Sequence, residues 1–146
     1  MQWSGTTARR ALISAALLFS LHAGCGNVSV EAPSTKTARQ ALDEALTAWR
    51  RGEKPGELSG TEPPVVVRDT PWGQGQRLAS YEILEEDEGA VAEKQFTVRL
   101  SLAEPERTEE VRYHVLGTDP LMIFRDEDYY RNINMENGPR LPRLPN

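Results

Sequence analysis

The chain changes its hydrophobic period once, and that change limits the folds open to it. Over Thr37 to Arg51 the apolar residues Ala38, Ala41, Leu42, Ala45, Leu46 and Trp49 recur at spacings of three and four. That is the repeat of one α-helical face. Further on the repeat falls to two: Phe96, Val98, Leu100 and Leu102 alternate with Gln95, Thr97, Arg99 and Ser101, as the two faces of a strand do. A helix followed by strands predicts an α+β layer. Its N-terminal helix packs on the apolar face of a curved antiparallel sheet of four to five strands.

The breakers set the boundaries. Thr37 with Gln40 fits a capping box, and Gly52 stops the helix, with Arg50 and Arg51 placed well against its dipole. Pro63-Pro64 ahead of Val65 to Arg68 suits a sheet edge. Asp69 to Gly75 reads as a loop by its Pro and Gly content; Trp72 in it either folds back as a lid on the core, the preferred reading, or is exposed for a partner. Gln76 to Leu84 is a strand, Glu85 to Gly89 a hairpin turn, and Lys94 to Leu102 the clearest strand. Glu109 to Gly117 returns, with Val111, Tyr113 and Val115 on one face. Arg112, His114 and Leu116 lie on the other, which reads as the outer face. Leu121 to Phe124 is apolar on both faces, as a central or well-covered strand would be. The domain therefore spans 37–131. Asn132 to Asn146 holds three prolines and no core pattern, and reads as a disordered tail with polyproline character.

Ahead of the domain stand Arg9-Arg10, an apolar run from Ala11 to Leu21, and His22-Ala23-Gly24-Cys25. A basic start, a short apolar run and small residues before a cut site are the parts of a secretory signal. The run is too short to span a bilayer, which takes about 20 apolar residues. Arg9-Arg10 also fits a twin-arginine signal, but Ala8 stands where Ser or Thr is usual, and ordinary Sec export is the preferred route. His22-Ala23-Gly24-Cys25 resembles the lipobox of bacterial lipoproteins, with His22 where that family prefers an aliphatic residue. The resemblance implies a signal peptide over 1–24, a diacylglycerol on Cys25, an acylated new amino terminus, and a flexible tether over 25–36. Gly26, in place of Asp, implies the periplasmic face of the outer membrane.

A helix leading into such a sheet resembles the cystatin-like and nuclear-transport-factor-like folds. Pro64, Asp69, Trp72, Leu78 and Tyr81, with Phe124-Arg125-Asp126, look like small uncharacterised bacterial lipoproteins of that shape. No catalytic residue carries over from either resemblance, and fold alone does not give function.

Composition closes several routes. The formal charge is −5, with 22 acidic against 17 basic residues, two of which leave with the signal. An acidic chain without a clustered basic face suits neither nucleic acid nor anionic lipid, so the membrane link rests on the lipid at Cys25. The chain holds one cysteine and two histidines, and His22 leaves with the signal. No disulfide, Cys/His zinc site or Cys-His nucleophile pair can be assembled.

Among the remaining candidates, His114 is a general base that an acid such as Asp126 could orient. The plainer reading is a structural histidine. Glu85 to Glu88 and Asp126-Glu127-Asp128 could attract calcium, but read as solvated charge runs. Trp49, Tyr81, Phe96 and Tyr113 could line a ligand pocket between helix and sheet, or serve as packed core. The sequence thus predicts a lipid-anchored cell-envelope protein with a non-enzymatic interaction domain, an unidentified protein partner, and no cofactor or metal. The alternative is a ligand-binding or enzymatic cone-shaped domain.

Overall fold

The computed structural model describes residues 31–89 and 92–137. Helix α1 covers Thr35–Arg50, and Ser34 rather than Thr37 caps it, its Oγ accepting from the Thr37 amide at 3.1 Å. Gln40, expected in a capping box, bonds Glu44 one turn on at 3.0 Å. Gly52 ends the helix at φ +82°, its N–H bonding the Trp49 carbonyl at 2.8 Å. A left-handed backbone of this kind suits glycine. The predicted apolar face of Ala38, Ala41, Leu42, Ala45, Leu46 and Trp49 is the buried one, and Ala48 joins it. Four alanines on that face let the helix axis approach the sheet closely.

Strand β1 is Val65–Arg68, followed by a single turn of helix, α2, at Thr70–Gly73. Strands β2 (Arg77–Glu88), β3 (Glu93–Ala103), β4 (Arg107–Leu116) and β5 (Leu121–Arg125) follow, then helix α3 (Asp126–Asn137). The sheet is open, in the order β1-β5-β4-β3-β2. The expected wholly antiparallel sheet is corrected to a mixed one, because β1 runs parallel to β5. The meander β2 to β5 leaves one side of β5 without a partner. Strand β1 fills that side, and the Leu121 amide also bonds the Pro64 carbonyl at 2.8 Å. Strand β5 is thereby flanked on both sides, as its two apolar faces require.

The core lies between α1 and one face of the sheet. Phe96, Val98, Leu100, Leu102, Val111, Tyr113, Val115, Leu121 and Ile123 supply the sheet side. Trp72 folds back onto it, its ring stacked on Trp49 with centroids 5.3 Å apart and planes 11° from parallel. Each indole N–H has a backbone acceptor, Gln76 O for Trp49 and Glu53 O for Trp72, as a buried indole needs.

Further expectations change. The acidic run from Glu85 to Glu88 lies within β2, so the turn begins later, near Gly89. Strand β2 is an exposed edge, and its acids, with two register shifts against β3, are devices that keep a long edge from pairing with other chains. The tail expected from Asn132 begins as helix instead, since α3 reaches Asn137. Residues 138–146, like the predicted signal peptide with Cys25 and the first half of the tether, lie outside the described residues, whereas Thr35 and Lys36, expected in the tether, open α1.

Candidate functional site

Helix α3 follows β5 without a loop and crosses the far side of the sheet, where it packs on β4 and β5. This corrects the placement of His114. Alternation puts it on the far face, as expected, but α3 covers that face and leaves the residue 0% exposed. Tyr129 lies parallel on the imidazole, centroids 3.9 Å apart and planes within 7°. Tyr130 meets the same ring edge-on at 6.0 Å.

Both ring nitrogens face carboxylates. Nε2 is 2.8 Å from Asp126 Oδ1, and Nδ1 is 3.5 Å from Glu93 Oε2. The contact with Asp126 is a hydrogen bond whose direction follows the ring tautomer. Glu93 is itself buried and accepts from Gln95 Nε2 at 2.7 Å and from the Tyr129 hydroxyl. Burial and that bond to Glu93 push the Tyr129 hydroxyl up to about 12. The two acids stand at opposite ends of the ring, so they offer no common coordination point with it. A general base needs a ring nitrogen open to substrate, and here neither nitrogen is open.

The run Asp126-Glu127-Asp128 is not a plain solvated charge patch. It forms the first turn of α3, where carboxylates complement the helix dipole. Each acid also has its own partner. Asp126 meets His114, and Glu127 accepts from Arg125 Nε at 2.9 Å. Asp128 accepts from the Thr70 amide at 2.7 Å, the Thr70 hydroxyl at 2.6 Å and Arg131 at 2.9 Å. The charge pattern was visible in the sequence. Acids in a first turn, with Tyr129 and Ile133 four apart, are the signal that could have revealed the helix.

A second buried network joins α2 to the sheet. Asp69 caps α2, Oδ1 accepting from the Trp72 amide at 2.9 Å, while Oδ2 accepts from the Tyr113 hydroxyl at 2.6 Å. Arg125 stands 4.0 Å from Asp69 and donates to Glu109 at 3.0 Å. Burial pushes Tyr113 well above its ordinary range, helped by the charge on Asp69. Burial also raises Asp69, against its hydrogen bonds from Trp72 and Tyr113 and the charge of Arg125. Burial opposes the charge on Arg125, yet Tyr113, Asp69 and the adjoining glutamates hold it above its usual value.

The four residues named as a possible pocket are not gathered around one space. Phe96 and Tyr113 are packed in the core with Trp49. Tyr81 is half-buried on β2, its hydroxyl 2.9 Å from Thr47 Oγ1 and 2.7 Å from Asp43 Oδ1. Trp49 also forms part of the floor of a surface cleft of about 560 Å³ between the end of α1 and α2. Tyr81 edges a different cleft, of about 380 Å³, beside Lys36, Arg39 and Asp43. No protein-family model, curated protein or solved structure matches the chain.

Proposed function

We propose that the chain is a lipid-anchored cell-envelope protein, held on the periplasmic face of the outer membrane through Cys25, whose folded domain works by binding a partner rather than by catalysis. One observation carries the second half of this reading. His114, the histidine left once a signal peptide is removed, has Asp126 and Glu93 at its two nitrogens and Tyr129 over its ring. Such a ring fastens α3 to the sheet. The core between α1 and the sheet is filled by side chains from both layers, which suits a display scaffold better than a hollow cone.

The first half rests on the resemblance of His22-Ala23-Gly24-Cys25 to a lipobox. Two or more acyl chains hold a protein stably on a membrane, each buried CH₂ contributing about 0.8 kcal/mol. Cys25→Ser is expected to abolish fatty-acid labelling and release the protein from the membrane fraction. Equal labelling of variant and wild type would end the lipoprotein reading.

A second reading, catalysis at His114, draws on the 2.8 Å approach of Asp126. His114→Gln separates the two. A binding domain keeps its partner at temperatures where the variant is folded, whereas an enzyme loses turnover.

A further inference from the structure

We propose that the cleft between the end of α1 and α2 binds a small oxyanion, carrying phosphate or carboxylate groups. This rests on the reading of the domain as a binding module and names the chemistry that the module takes. At about 560 Å³ the cleft falls in the size range of small-ligand sites.

Its charge runs against the rest of the molecule. Arg50, Arg51, Lys54 and Arg77 line it, with Glu53 as the one acid of the lining, on a chain whose formal charge is −5. Glu53 neutralises Arg51 at 2.8 Å, and Arg77 reaches Glu104 at 3.6 Å. Arg50 and Lys54 make no ion pair among the described residues; Arg50 instead lies over the Tyr81 ring, 5.9 Å from its centroid. Among the described residues, two cations are therefore left without a carboxylate at the mouth. Guanidinium forks match phosphate and carboxylate oxygens bidentately.

The floor and walls also fit. The stacked Trp49 and Trp72 spend both indole N–H groups on backbone carbonyls, so the floor is apolar and rigid. Gly52 and Gly75 line the walls, and a side chain built on either would meet no atom within 4 Å. The end of a helix ordinarily repels anions through its free carbonyls. Here the Thr47, Ala48 and Trp49 carbonyls accept from the Arg51, Glu53 and Gly52 amides, so that repulsion is largely spent.

The test titrates the full chain, in neutral detergent, with tripolyphosphate, citrate and glycerophosphoglycerol, following heat and tryptophan emission. Tripolyphosphate is expected to bind, less tightly at high salt. Arg50→Glu with Lys54→Glu should weaken it roughly tenfold or more. The milder Arg50→Gln with Lys54→Gln should fall between, which keeps the test informative if the first pair unfolds. Arg112→Glu, exposed on the far face of β4, should leave binding unchanged. Binding of glycerophosphoglycerol alongside tripolyphosphate assigns a lipid headgroup; binding of tripolyphosphate or citrate without it assigns a soluble ligand. No binding by any probe, or equal weakening by Arg112→Glu, overturns the proposal. Membrane retention through Cys25 is read separately, so a failed titration leaves the anchoring reading standing.

Discussion

Tyr129 lies flat on His114, 3.9 Å between ring centroids, and its hydroxyl reaches past the imidazole to Glu93. One side chain of α3 thus closes both a ring face and the carboxylate beside it. Tyr129→Ala is expected to destabilise the fold by about 1–3 kcal/mol, combining the lost stack with the exposed ring. Tyr129→Phe keeps the stack and loses the bond to Glu93, so its cost should be about 0.5–1.5 kcal/mol. Urea unfolding of the full chain measures both. Equal losses would place the stabilisation in the hydroxyl rather than in the stack.

Asp69 sets an acid-limb prediction. Burial raises its pKa above the ordinary 3.8, so the folded state holds that proton more tightly than the unfolded chain. The stabilising contribution is complete below 3.8 and is lost as pH rises through the higher folded value. Asp69→Asn keeps an acceptor for the Trp72 amide and has no proton to lose. Its unfolding free energy should therefore lack this downward slope just above pH 3.8. Matching slopes in variant and wild type would contradict the assignment.

The Trp49–Trp72 stack joins α1 to α2 across the floor of the basic cleft. Truncating either ring to Ala should cost about 3–5 kcal/mol, as should Phe96→Ala beneath α1. In a double-mutant cycle the two tryptophans should couple by about 0.5–1.5 kcal/mol. A loss below about 0.5 kcal/mol at both Trp49 and Phe96 would mean that these faces do not form the core.

Removing Gly138 to Asn146 is expected to leave the melting temperature within about 2 °C, well under the shift of about 4–8 °C that 1 kcal/mol produces near this domain size. A larger drop would show that this segment packs on the domain.

The sequence announced α1 and β3 because each buries one face along a regular repeat: Ala38 to Trp49 at helical spacing, Phe96 to Leu102 at strand spacing. It announced β5 as a central or well-covered strand because Leu121 to Phe124 is apolar on both faces. It did not announce α3. That helix docks through Asp126, Asp128 and Tyr129, by ion pairs, hydrogen bonds and a stacked ring rather than by an apolar stripe. Periodicity is blind to such contacts. The burial of His114 was hidden for the same reason, since alternation gives the face but not what lies on it. The direction of β1 was also out of reach, because pairing between distant strands leaves no local mark.

The pairing of Val65 with Leu121 has a kinetic consequence. Strand β1 leaves the ribosome before any other strand, yet its neighbour in the sheet is the last to be made. Contacts so distant in sequence raise contact order and slow folding. The sheet therefore cannot be completed until β5 has been made. Such late completion postpones the final shape of the sheet until β5 can reach β1.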